Sequence, residues 1–135
     1  MKTRPVLTLE DCRTLAAAAQ AEARKNSWNV AIAILDHGGH LLHFERMDGA
    51  TPANAAIAVE KGRTAAMSRR SSGVWEEMIK GGRTAMIKMP GILPVQGGMP
   101  IVADGTCIGG VGVSGVQSQQ DEQIATAGIR AVIPD

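Results

Sequence analysis

The stretch Trp28-Asn29-Val30-Ala31-Ile32-Ala33-Ile34-Leu35, then Asp36-His37-Gly38-Gly39, then His40 to Met47, decides the fold. Beyond Asn29 the first segment is wholly apolar and rich in β-branched residues, which predicts a strand covered on both faces. Asp36-His37-Gly38-Gly39 reads as a turn, because glycine supplies the positive backbone angles that a tight hairpin requires. Strict alternation along the returning strand places Leu42, Phe44 and Arg46 on one face. Leu41, His43, Glu45 and Met47 fall on the other.

Working outward from this hairpin, Thr8 to Asn26 predicts an amphipathic helix. Leu9, Cys12, Leu15, Ala16, Ala19 and Ala23 form its apolar face, with Glu10, Arg13, Gln20 and Arg24 opposite. Thr8 with Asp11 three residues on forms an approximate capping box. On the C-terminal side, Thr51-Pro52 opens a second helix, proline being well placed in a first helical turn. Its alanines (Ala53, Ala55, Ala56, Ala58, Ala65, Ala66) and Gly62 suit tight packing within the fold, packing between subunits, or a flat ligand. A polar break at 68–73 precedes a short helix around Val74 to Lys80, ended by Gly81-Gly82.

Met89 to Pro100, dense in proline and glycine, reads as loop with at most a short strand. Pro100 to Ala103 and Thr106 to Val113 predict a hairpin turned at Asp104-Gly105. Gly109, Gly110 and Gly112 inside the second of these strands signal a bulge or a close approach by another part of the structure. Ser118 to Val132 is the last helix, with Asp121 and Glu122 near its positive end. The order α-β-β-α-α-β-β-β-α, mostly hairpin-linked, predicts an α+β architecture: an antiparallel sheet backed by helices, in a single domain spanning 1–135.

Composition supports one folded domain. The 135 residues are 44% hydrophobic and 20% charged, enough for a core and for solubility. A net charge of +1, with 2 Trp, 1 Phe and no Tyr, argues against nucleic acid as a partner. The start Met1-Lys2-Thr3-Arg4-Pro5-Val6 lacks a secretory pattern and no run has the length of a membrane span, so a cytoplasmic protein without membrane association is expected. Cys12 and Cys107 have no metal-ligand spacing and read as free, buried thiols.

Three signals could carry chemistry. The 3 histidines, His37, His40 and His43, share one short window. Alternation separates His40 from His43, which disfavours a three-histidine metal site. A single axial haem ligand needs only one imidazole, and His37 and His43 are the candidates. Next, Lys61, Arg63, Arg69, Arg70, Lys80, Arg83 and Lys88 concentrate cations in the middle of the chain, opposed there only by Glu76 and Glu77. Such a cluster suits a carboxylate, phosphate or haem propionate, or forms a solvated face. Last, Gly97-Gly98 and Gly112-Val113-Ser114-Gly115 could present backbone amides to an anion, although neither matches a nucleotide-binding fingerprint. Arg46-Met47-Asp48-Gly49-Ala50 could orient a substrate or form a salt-bridged turn.

Taken in order, several segments resemble the GlcG/HbpS family, which includes the C-terminal domain of PduO-type proteins. They are Ala33-Ile34-Leu35-Asp36-x-x-Gly39, Phe44-x-Arg46-Met47-Asp48-Gly49-Ala50, Lys61-x-Arg63-Thr64-Ala65-Ala66, Gly97-Gly98-x-Pro100-Ile101, Ile108 to Gly115, and Asp121-Glu122. The resemblance implies a profilin-like layer of helices on a five-stranded antiparallel sheet, and homo-oligomers, commonly octamers. It also implies haem or a related tetrapyrrole as ligand, but no shared catalytic residue set. On that reading His37 or His43 ligates the iron, and Arg46, Lys61 or neighbouring cations meet the propionates. Absence of tyrosine excludes a tyrosinate ligand. A second expectation is an enzyme or accessory factor for a small organic acid. The same cations would hold the carboxylate, with His43, Glu45 or Asp48 moving protons. A third is an oligomer without chemistry. The candidate ligand-binding set is His37, His43, Arg46, Asp48, Lys61, Arg63, Gly97, Gly98 and Ser114.

Overall fold

The computed structural model describes residues 1–134. Helix α1 (Leu9–Lys25) is followed by strands β1 (Ala31–Asp36) and β2 (Leu41–Arg46). Helices α2 (Pro52–Ser68) and α3 (Ser72–Lys80) come next, then a 3-10 turn at Thr84–Lys88. Strands β3 (Gly98–Ala103) and β4 (Thr106–Ser114) and helix α4 (Ser118–Val132) complete the chain. The sheet is antiparallel throughout, in the order β2-β1-β4-β3.

Both faces of the sheet are covered, as the apolar run of β1 requires. Ile32 and Ile34 point into a core with Leu15 and Ala19 of α1, Val111 and Val113 of β4, and Ile124 of α4. Ala31, Ala33 and Leu35 point the other way, against Ala58 of α2 and the half-buried Phe44. On that second face the contact is backbone to backbone. A Cβ on Gly112 would overlap the Ala58 carbonyl oxygen, and one on Gly110 would overlap that of Gly62. The strand glycines and the alanine-rich helix are therefore two halves of one close contact.

The sheet has four strands, not the five expected. The missing strand was to lie between Met89 and Pro100, where Pro90 and Pro94 have no N–H to give a ladder. The available amides turn inward instead. Ile92 N–H donates to the Met89 carbonyl, Val95 N–H to the Leu93 carbonyl, and Leu93 N–H to Thr64 Oγ1 at 2.8 Å. Leu41 also departs from strict alternation. A register shift between Ile34 and Leu35 pairs Leu35 with Leu41, bringing Leu41 beside Phe44 in a groove against α2. Cys12 is buried as expected, but Cys107 is only half-buried; both thiols are free. No helix among the described residues is long and apolar enough to cross a membrane.

Candidate functional site

The β1–β2 turn is held from within by one carboxylate. Asp36 Oδ1 accepts from the backbone N–H of Gly38 at 2.9 Å and of His40 at 3.0 Å, and lies 3.2 Å from His40 Nδ1. Burial alone would raise the Asp36 carboxyl, but these amides and the His40 ring outweigh it and hold it below its ordinary 3.8. From outside, Arg63 of α2 donates through Nε to the Gly39 carbonyl at 3.1 Å, while its Nη1 pairs with Glu60. Gly39, at φ +83, is so close to Arg63 and Met67 that a Cβ would touch both. His37 stands exposed on this clamped turn. Its ring has no hydrogen-bond partner among the described residues. Met67, about half exposed, packs against Gly39 of this turn, and Leu41, also about half exposed, opens the strand that leaves it.

His43 is engaged elsewhere. Its Nε2 lies 3.2 Å from Glu45 Oε2, and Glu45 Oε1 accepts from Gln20 Nε2 of α1 at 2.9 Å. His37 and His43 therefore do not converge. Among the described residues no three His, Cys, Asp or Glu side chains come together as a metal site.

Arg46 and Asp48 do meet. With Gln20, Arg24, Asn29 and Met47 they line a cavity of about 380 Å³ between the end of β2 and α1. Neither guanidinium has a carboxylate partner among the described residues. Sequence reading placed Gln20 and Arg24 on the polar face of α1 but gave them no role. Their four-residue spacing, which stacks them on one stripe, was the available signal.

Lys61 is not available to any ligand. Only 2% exposed, it donates to Asp121 Oδ2 at 2.9 Å and to the Val113 carbonyl at 3.0 Å. Burial pushes the Asp121 carboxyl above its ordinary 3.8, with the Lys61 ammonium and the Val116 and Gly115 amides pulling the other way. Gly97 and Gly98 serve this pair and the helix behind it. A Cβ on Gly97 would meet Lys61 Nζ at 2.7 Å, and one on Gly98 would overlap the Lys61 carbonyl. The Gly98 N–H is already given to Ser72 Oγ at 2.8 Å. Ser114, also buried, accepts from Asn54 Nδ2 at 3.1 Å.

The cations of the chain's middle do not form one patch. Arg63 reaches from α2 to the hairpin, Arg70 lies over Trp75 at 5.6 Å, and Lys80 pairs with Glu76 at 3.1 Å. Arg83 and Lys88 are exposed, and Arg69 caps α2. Proximity in sequence did not become proximity in space, because the stretch is broken into separate helices and turns.

Helices on both faces of a short antiparallel sheet, with polar side chains gathered at the rim, define a small α+β domain. The chain belongs to the HbpS-like family, whose model, described as "Haem degrading protein HbpS-like", matches residues 7–130. It is 48% identical to Protein GlcG of Escherichia coli K12 over 114 residues, covering 84% of this chain and 85% of that one. A solved double mutant of Streptomyces reticuli HbpS matches with a TM-score of 0.88 at 31% identity, over 100% of this chain and 91% of that one. A solved haem complex of PduOC matches with a TM-score of 0.84 at 26% identity, over 94% and 95% of the two chains.

Proposed function

We propose that this protein binds haem or a related tetrapyrrole at the tip of the β1–β2 hairpin, with His37 as the iron ligand. The observation that carries the reading is the His37 imidazole, exposed and unpartnered on a turn clamped by Asp36 and Arg63. The donor set fits the group: an imidazole for iron, the apolar surface of Leu41 and Met67 for the macrocycle, and the Arg63 guanidinium for a propionate. Bound there, haem would supply iron redox or ligand-exchange chemistry, and the chain's own part is to bind and orient it. The PduOC haem complex and the family description support the same ligand class. Haemin titration of the purified chain should give a saturable Soret shift that His37→Ala abolishes and His43→Ala retains. A titration that never saturates refutes haem binding; saturation unchanged in His37→Ala refutes the assigned ligand.

A second reading rests on the cavity with Arg24 and Arg46, whose two unpaired guanidiniums suit a small organic acid. Asp48, in the same lining, and the nearby His43–Glu45 pair would be the groups able to move a proton. Glycolate or lactate, each a monocarboxylate, at about 100 times its Kd should stabilise the fold by about 2.7 kcal/mol. Arg46→Gln should remove the effect, and absence of any shift in the wild-type chain refutes this reading. Self-association belongs to the proposal as well. Leu41, Phe44, Ala55, Ala56 and Val59 line an open apolar groove of about 420 Å³ between β2 and α2, and light scattering on the purified chain tests it.

A further inference from the structure

Helix α2 ends at Arg69, which holds a left-handed backbone conformation at φ 59. Glycine adopts that geometry freely, and arginine adopts it only under strain. Arg69 lines a cavity of about 350 Å³ together with Lys2, Arg4, Thr106 and Cys107. None of the three cations has an ion-pair partner among the described residues. Among the described residues no acidic side chain lines the cavity, and Asp104 in the neighbouring turn is exposed and outside the lining. The closing carbonyls of α2 bring about half a negative charge to this end of the helix. Three full positive charges outweigh it. The half-buried Cys107 stands in the wall, its Sγ 3.4 Å from the Gly109 carbonyl and 3.7 Å from the Ala66 carbonyl.

We propose that this cavity is a binding site for a small, doubly charged oxyanion, a phosphate or a dicarboxylate, held by Lys2, Arg4 and Arg69 beside the Cys107 thiol. Multiple unpaired cations around one concave surface raise the local concentration of an anion, and guanidinium forks match two oxygens of the same group. Thr106 offers a hydroxyl donor at the same wall. The site shares no lining residue with the hairpin tip or the Arg24–Arg46 cavity, so its success or failure is independent of the functions proposed there.

The thiol provides the readout. Cys12 is fully buried, so alkylation of the native chain reports Cys107 alone. Iodoacetate, an anion, should react faster relative to neutral iodoacetamide than it does with free cysteine, by about tenfold or more at low salt. Inorganic phosphate or succinate, at matched ionic strength, should protect Cys107 and raise the melting temperature; whichever does so at lower concentration identifies the class. Arg69→Gly removes the guanidinium while easing the backbone, so it should fold at least as well as the wild type, and both effects should drop. Arg4→Ala, at an exposed position, should lower them as well. An iodoacetate preference equal to that of free cysteine, no protection by either anion, or effects unchanged in Arg69→Gly would overturn the proposal.

Discussion

Replacing Lys61 by methionine keeps an unbranched apolar stem and removes the ammonium. Lys61 and Asp121 are each 2% exposed and 2.9 Å apart, so their attraction is roughly 5–6 kcal/mol at an effective dielectric of about 20. Desolvation of both ions offsets much of that gain, so the net worth of the pair is far smaller than its gross attraction. Removing one partner is different, because it leaves a carboxylate buried without its cation. The expected loss for Lys61→Met is about 3–5 kcal/mol at neutral pH, out of a total stability of about 5–15 kcal/mol. For a chain of this size the melting temperature should fall by on the order of 10–20 °C. The Lys61→Met, Asp121→Asn double variant should recover at least half of the loss, since asparagine carries no charge and can still accept from the Val116 N–H. The pH dependence has a definite sign. Without Lys61 the buried Asp121 carboxyl rises further above 3.8. Between the wild-type folded value, already above 3.8, and the higher value of the variant, only the folded variant holds the Asp121 proton, so the deficit must shrink as pH falls through this window. Urea unfolding at about pH 7.5 and about pH 5 measures both quantities. A loss below about 1 kcal/mol at the higher pH, or a deficit that grows on acidification, would refute the reasoning.

Gly112→Ala should cost about 1–3 kcal/mol or more, because the new methyl meets the backbone of α2 and not a side chain that can rotate away; urea denaturation measures it. Asp36→Ala should cost about 1–2 kcal/mol at neutral pH through loss of charge-assisted hydrogen bonds. The folded-state value of Asp36 lies below its ordinary 3.8, so its stabilisation is complete above 3.8 and disappears as pH falls through the lower folded value. The stabilities of wild type and Asp36→Ala should therefore converge as pH falls below 3.8 and through that lower folded value. Thr8→Ala should cost about 1 kcal/mol by leaving the Asp11 N–H uncapped, readable by circular dichroism on heating.

Where the chain's own chemistry is local, the sequence was sufficient. The Thr8–Asp11 capping box and the three- and four-residue apolar spacing after it predict α1 to within a residue at each end. The unbroken apolar, β-branched run of β1 foretells two covered faces, and the glycines of β4 signal a bulge or a close approach, the latter realised by α2. Legibility stopped where the deciding partner is distant or the register shifts. Nothing near Lys61 announces Asp121, 60 residues away, so a buried structural ion pair looked like part of an anion site. Alternation cannot anticipate the shift that moved Leu41 to the Phe44 face. The fifth strand failed because composition marks a proline-rich segment as irregular without saying where its amides will go. Of the candidate site residues, Arg46 and Asp48 were brought together and His37 was left free. Lys61, Gly97, Gly98 and Ser114 were absorbed into packing.

The glycine-to-alanine contact between β4 and α2 also governs where this domain can do its work. With main chain lying directly on main chain, the β4–α2 contact has no side-chain layer that could be pared back into a hollow. The opposite side is filled by aliphatic residues from both helices and three strands. Guests must be received at the periphery, at hairpin tips, helix ends and strand margins, where residues can change without unsettling the middle. A scaffold sealed in this way can keep its shape whatever its rim is given to hold.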